Sequence, residues 1–363
     1  MSTSCDFLVK RDELRECKFA PAPEADEVEL ESGEVLLAVD KFGFTSNNIT
    51  YAAFGEAMNY WAFFPAPEGW GRIPVWGFAR VVRSEHDGLT QGERVFGYLP
   101  MSTHLVVRPD QVTEAGFVDA MPHRAELPAA YQQYTRVAGD GDGKHDDHQA
   151  ILQPLFMTSF LIEDFLADAD LFGAATVVLA SASSKTALGV AFLLSKNRPA
   201  NCQVIGLTSP GNVSFCEGVG YYDRVLPYGD VASLPHEAAV LVDMAGDGSV
   251  LKSVHDHFGD NLKYSCIVGA THWEDREAPG DLAGPAPQFF FAPTQLVKRR
   301  EDWGADGLAE RYGEARSAFL PSTDGWMKIV HGRGPDAVKD VYLAMVDGEV
   351  DPQVGQMLSL APV

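Results

Sequence analysis

The stretch Ala180-Ser-Ala-Ser-Ser-Lys-Thr-Ala-Leu-Gly189 gathers four small hydroxyls, Ser181, Ser183, Ser184 and Thr186, around one cation, Lys185. It joins the apolar run Ala175-Thr-Val-Val-Leu-Ala180 to the helical pattern Thr186 to Lys196. Hydroxyls and a lysine at the positive end of a helix can bond phosphate oxygens. The same serines would also cap the helix, and a capped end still presents N–H groups. The Gly-x-Gly-x-x-Gly turn that lets a backbone close on a pyrophosphate is absent. A second run, Gly206-Leu-Thr-Ser-Pro-Gly-Asn212, ends the next apolar strand. It lacks the Asp or Glu that bonds a ribose 2′-hydroxyl in NAD sites and offers Thr208, Ser209 and Asn212 instead. That favours NADP(H), with Lys185 as the cation because the usual Arg is missing. A plain turn into a helix capped by Asn212 explains the same residues.

From Tyr51 to Phe78 the chain is dense in large rings: Tyr51, Phe54, Tyr60, Trp61, Phe63, Phe64, Trp70, Trp76 and Phe78. Several lie in Gly- and Pro-rich stretches where core packing explains them poorly. An apolar, aromatic small molecule suits such walls, with Tyr60, Trp61 and Trp76 as candidate substrate contacts. A CoA thioester fits less well in so acidic a chain, unless Arg72 or Arg80 meets it.

Three stretches must position these residues. Up to about Ala130, short β-rich runs (Glu34 to Val39, Ile73 to Val82, Glu93 to Phe96, His104 to Arg108) predict an all-β unit. The Gly and Asp cluster from Ala138 to Gln149 predicts an exposed loop and a boundary. It does not fit a calcium loop, since Lys144 and His145 stand where an oxygen ligand and a glycine are needed, and His145 with His148 reads as solvated. Beyond it, helix Gln153 to Ala167 leads into alternating strands and helices: strands at Ala175–Ala180, Gln203–Leu207, Ala239–Asp243, Tyr264–Val268 and the run Gln288 to Ala292, helices at Asn212–Val219 and Val250–Phe258. Alternation of this kind predicts a parallel sheet with helices on both faces, an α/β, doubly wound Rossmann-type domain. Trp326–Val330, Asp336–Val346 and Gly355–Leu360 then predict a strand, a helix and a strand that rejoin the first domain.

With 363 residues, 46% of them hydrophobic, the chain is long enough for about two domains. Lys plus Arg number 28 against 51 Asp plus Glu, a formal charge of -23, which opposes nucleic-acid or anionic-membrane partners. The five cysteines are scattered and never in a CxxC pair. They read as reduced thiols of a cytoplasmic protein, and the polar N-terminus lacks the apolar core of a signal peptide.

The order of segments resembles the medium-chain dehydrogenase/reductase superfamily, in its zinc-independent quinone oxidoreductase and enoyl reductase branch. GEVLLAVDKFGFTSNNITYAAFGE is similar to the opening strand pair and its N-P-x-D segment. VWGFARVV followed by LTQGERVFGYLP is similar to the G-x-E-x-x-G-x-V and G-D-R-V-x-G pair. VVLASASSKTALGVAFLL stands in place of the glycine-rich phosphate turn, while FCEGVGYYDRVLPYGD and VYLAMVDGEVDPQVGQMLSL resemble the later helix-and-strand segments. The resemblance implies a GroES-like substrate domain over residues 1–149 and 321–363, and a Rossmann-type NADP(H)-binding domain over 150–320.

Phe44-Thr45 and Trp76-Gly-Phe-Ala79 stand where the zinc-dependent branch places a Cys and Gly-His-Glu, so no metal is expected. Without one, the chemistry implied is hydride transfer to a quinone or an activated alkene or carbonyl. The resemblance gives Tyr51 as the catalytic donor, with Asn48 orienting nicotinamide or substrate, and Tyr51 as a purely packing residue is the competing view. Tyr228, Gly269, Ala270 and Phe291, near the ends of later strands, complete the candidate cofactor set. Relatives of this kind are commonly homodimers. The alternative function is a cofactor-free or regulatory relative without reductase activity.

Overall fold

The N-terminal runs form the strands expected of them, with shifted ends, in a computed structural model that describes residues 4–138, 144–244, 246–268 and 282–361. The chain divides into two units: Met1–Ile151 with Ile329–Val350 and Val354–Val363, and Leu152–Lys328 with Asp351–Gln353.

In the first unit, β1 (Cys5–Lys10) and β2 (Glu13–Pro21) make an antiparallel hairpin that the sequence reading passed over. β3 (Val35–Phe44) runs into α1 (Ser46–Ala53), and β4 (Trp70–Gly71) pairs with β1. β5 (Pro74–Ser84) lies between β3 and β6 (Arg94–Pro100), all three antiparallel. β7 (His104–Val107) pairs with β3, while β8 (Pro109–Asp110), β9 (Gly116–Asp119) and β10 (Gln133–Val137) extend the sheet beyond β6. Every residue of β6 is buried.

The expected exposed loop is corrected by α2 (Lys144–Asp168), which starts inside it. Asp146, Asp147 and His148 are buried. The carboxylates are taken out of water because partners distant in sequence meet them: Lys41 Nζ lies 2.8 Å from Asp147, Arg94 Nη2 2.8 Å from Asp146, and His331 Nε2 2.8 Å from Asp147. The His145 side chain lies outside the described structure. The stretch Asp146–Asp168 is long and apolar enough to cross a membrane, but 61% of its most apolar window is buried inside the protein, as in a core helix.

In the second unit, β11 (Thr176–Ala180), α3 (Lys185–Asn197), β12 (Gln203–Thr208), α4 (Val213–Val219) and β13 (Arg224–Pro227) alternate. β14 (Ala239–Asp243), α5 (Gly248–Phe258), β15 (Leu262–Ile267) and β16 (Gln288–Phe289) follow. The sheet order is β13-β12-β11-β14-β15-β16, all parallel, so the first strand lies in the middle and the order reverses between β11 and β14. Val177, Leu179, Val204, Val240 and Val242 face one core layer, while Val178, Ile205, Leu207 and Leu241 face the other. Strands buried on both faces read as continuous apolar runs, which is why they were legible. The run Gln288 to Ala292 is strand only to Phe289. α6 (Ala292–Thr323), interrupted at Gly304 with φ 73°, occupies a stretch where no helix was expected.

β17 (Lys328–Arg333), α7 (Gly334–Val346) and β18 (Val354–Ser359) end the chain. β18 pairs antiparallel with β3, and β17 lies beside it at the sheet edge, so the C-terminal strands complete the sheet of the first unit.

Candidate functional site

In the first unit the candidate site is an aromatic cage. Thr45 precedes α1, and its N–H donates to Asn48 Oδ1 at 2.8 Å. Asn48 Nδ2 donates to the Pro74 carbonyl at 2.9 Å, tying α1 to β5. The amide of Asn48 therefore holds the helix that carries Tyr51, one turn on, and does so from a buried position. This supports a positioning part for Asn48 in place of direct contact with nicotinamide.

The Tyr51 ring lies 4.7 Å from Tyr60, 5.7 Å from Tyr98 and 6.3 Å from Tyr131, centroid to centroid. Trp76 lies 5.1 Å from Tyr98, and Phe63 5.4 Å from Tyr131. The Tyr60 and Tyr131 hydroxyls approach to 3.5 Å. Burial pushes the Tyr51 phenol far above the ordinary tyrosine range, the Tyr60 phenol adds to the rise, and the Trp76, Asn47 and Tyr131 side chains oppose it. A phenol so placed keeps its proton until something takes it. Tyr60 and Trp76 thus join Tyr51, but Trp61 does not. Its ring is wedged between Gly55 and Gly71, where a Cβ would come within 2.1 and 2.4 Å of it, so Trp61 is packing and the glycines are its slot. Tyr98 and Tyr131, absent from the sequence reading, complete the cage from β6 and from the turn Ala129–Tyr131. Beneath them Arg124 Nη1 lies 2.6 Å from Asp119, and its Nε donates to the Phe63 carbonyl.

In the second unit, the candidate cofactor residues within the described structure lie at or just past the carboxyl ends of the strands, where doubly wound sheets bind ligands. Ser181 follows β11 with φ 56°, a left-handed backbone that usually falls to glycine. Ser184 caps α3, its hydroxyl accepting from Ala187 N at 3.2 Å. Ser183 Oγ accepts from Asn212 Nδ2 at 3.1 Å and lies 3.4 Å from Thr208 Oγ1, which brings the first and second turns together. Tyr228, beyond β13, is raised to about 12 by burial, and a hydrogen bond with Ser181 counters the rise. Lys185 Nζ donates to the Pro352 carbonyl at 3.2 Å. Burial pushes its ammonium down to about 8, against the pull of Asp351. Thr186 accepts from Ser159 Oγ through its carbonyl, Ser209 begins the turn after β12, and Phe291 precedes α6. Gly269 and Ala270 lie outside the described residues.

Close packing frames this turn in ways that single residues did not reveal. A Cβ on Gly206 would meet Ala182 at 2.8 Å, and one on Gly189 would meet Ser159 Oγ at 2.4 Å. Tyr222 pins the turn by donating to the Ala182 carbonyl at 2.7 Å. Small residues, a helix N-terminus, hydroxyl and amide donors and one lysine, with no carboxylate from Leu207 to Asn212, fit a dinucleotide that carries a 2′-phosphate. Among the described residues no group of three His, Cys, Asp or Glu is arranged to hold a metal ion.

Solved structures with this fold carry little sequence likeness to it. CurA from Vibrio vulnificus, in complex with NADPH, is 12% identical with a TM-score of 0.64, covering 99% of this chain and 100% of its own. A mutant enoyl thioester reductase from Candida tropicalis is 10% identical, with a TM-score of 0.59 and coverage of 99% and 100%. The yhdH oxidoreductase from Salmonella enterica, in complex with NADP, is 15% identical, with a TM-score of 0.55 and coverage of 98% and 99%. What is shared is the fold, a GroES-like β unit and a Rossmann-type unit. No curated protein matches the chain. One family model, described as "Protein of unknown function (DUF2855)", matches residues 42–351, and this chain belongs to that family.

Proposed function

We propose that the protein is a zinc-independent, NADPH-dependent oxidoreductase that transfers hydride to an apolar or aromatic acceptor, a quinone or an activated alkene or carbonyl. The observation that carries this reading is the turn after β11. Ser181 takes the left-handed position, Ser184 caps α3, and Ser183, Thr208 and Asn212 form a hydroxyl and amide floor at the point where the strand order reverses. Structures of similar fold were determined with NADPH or NADP, which favours the same cofactor here.

In this reading the second unit binds the cofactor, with Lys185 and Ser209 toward the 2′-phosphate and Tyr228, Gly269, Ala270 and Phe291 around the rest. The first unit binds the acceptor. When bound, NADPH supplies the hydride. The protein's own work is to exclude water with the rings of the cage, to hold α1 through Asn48, and to give a proton from the Tyr51 hydroxyl. A small-molecule acceptor, a cytoplasmic setting and a homodimer belong to the same proposal.

A cofactor-free or regulatory role is the second reading. It is favoured by the way Ser183, Thr208 and Asn212 satisfy one another, as a turn that holds only itself would. Titration of NADPH fluorescence decides between them: saturable enhancement below millimolar cofactor supports the oxidoreductase, and no binding in that range removes it.

A further inference from the structure

The hydroxyl of Tyr51 sits where three side chains meet. Trp76, Asn47 and Tyr131 each hydrogen-bond it, from β5, from the preceding turn of α1 and from the turn Ala129–Tyr131. An indole N–H can only donate, so Trp76 fills one lone pair of the Tyr51 oxygen whether or not that oxygen carries its proton. Its neighbours fix the indole for this: it stacks on Phe96 at 5.8 Å and lies 6.1 Å from Tyr131, centroid to centroid.

Burial penalises negative charge on every phenol of the cage, yet the hydrogen bonds do not treat the phenols alike. Those made to Tyr51 favour its ionised form, whereas those that Tyr131 makes with Tyr60 and Tyr51 keep the proton on Tyr131. Tyr131 is thus a donor to Tyr51 and no rival for its charge. A hydroxyl carries one hydrogen, so Tyr131, in giving it to Tyr51, takes one from Tyr60, whose hydroxyl lies 3.5 Å away. Tyr98 meets the Tyr51 ring edge-on at 5.7 Å, and Arg124, the cation that acts on Tyr98, is paired with Asp119.

We propose that Trp76 Nε1–H and Tyr131 Oη–H hold the negative charge left on Tyr51 Oη when its proton goes to the reduced acceptor, which makes both of them positioning residues for that acid. This rests on the reading of Tyr51 as the proton donor. In the step, the Tyr51 O–H bond breaks, its electron pair stays on Oη, and the proton bonds to the acceptor anion that hydride from reduced nicotinamide has formed. Solvent restores the proton.

A ring-trifluorinated tyrosine, far more acidic than tyrosine, is placed at position 51 of the full-length protein without cofactor, and its ionisation is followed by ¹⁹F NMR. Trp76→Phe and Tyr131→Phe should each raise the midpoint by about one to two pH units, as loss of a hydrogen bond to a charged group does. Tyr98→Phe removes a hydroxyl from a ring nearer than that of Tyr131 and should leave the midpoint in place. Tyr131→Phe keeps its ring, so it decides the matter even if Trp76→Phe fails to fold. A midpoint that stays put in either variant that folds, or an equal rise in Tyr98→Phe, overturns the proposal. Separate NADPH titration keeps the two readings apart: failure of the cofactor to bind removes the oxidoreductase, while an unmoved midpoint with NADPH binding intact removes this inference alone.

Discussion

Tyr51→Phe deletes one oxygen and leaves a ring held among Tyr60, Tyr98 and Tyr131. If that hydroxyl gives its proton in the transition state, turnover falls about a hundredfold while NADPH affinity is retained, as steady-state kinetics and a binding titration would register together. Full activity would demote it to a wall. Lys185 makes a sharper case, because its ammonium is pushed down to about 8. A bound phosphate favours the charged form, so NADPH should bind best below that pH and weaken as pH rises through it, by at most about tenfold per unit. Lys185→Ala should abolish this dependence and cost about 1.5 to 3 kcal/mol of binding at neutral pH. A dissociation constant that is flat across this window in the parent would take Lys185 out of the phosphate site. Ser209→Asp places a carboxylate where a 2′-phosphate would sit, and the ratio of NADH to NADPH affinity should rise.

At the scale of elements, close approaches of backbone make the firmest forecasts. Gly43 on β3 lies so near the start of α2 that a Cβ would come 2.7 Å from the Ala150 carbonyl oxygen. Backbone cannot swing aside as a side chain does, so Gly43→Ala should destabilise by about 1 to 3 kcal/mol in chemical denaturation. The parallel strands were legible because Val, Ile and Leu dominate the interiors of β11, β12 and β14, broken in β12 only by Gly206. α6 was not, because Gly304, Gly307, Gly313 and Pro321 break its pattern and Gln295, Arg299 and Thr323 are among its buried residues. An apolar stripe is the signal a reader follows, and here polar groups take its place: Arg299 is buried against Asp164 at 2.6 Å. The serine turn was recognisable from its hydroxyls, whereas the positive φ of Ser181 and the Ser159 approach to Gly189 depend on neighbours brought by the fold.

Across the whole molecule, what escaped the sequence is what long-range contact makes. Tyr98 and Tyr131 come to Tyr51 from strands and turns dozens of residues away, and Asp146 and Asp147 are buried only because Lys41, Arg94 and His331 meet them. Removing one partner of such a pair strands the other, so Asp146→Ala should cost about 3 to 5 kcal/mol. A loss within error of zero would show that the pair is dispensable. Exhaustive chelation, by contrast, should leave the thermal midpoint and any reductase rate unchanged, since among the described residues no three His, Cys, Asp or Glu side chains are arranged to hold a metal ion.

Three residues near the C-terminus, Asp351–Gln353, belong to the second unit although the chain on either side belongs to the first. Gln353 accepts from Lys328 N at 2.7 Å, and Pro352 holds Lys185. The second unit is therefore not a cassette that one pair of cuts can lift out. Excising residues 152–328 alone would leave behind the Pro352 carbonyl to which Lys185 donates, so a truncated second unit has to carry the short tail segment with it.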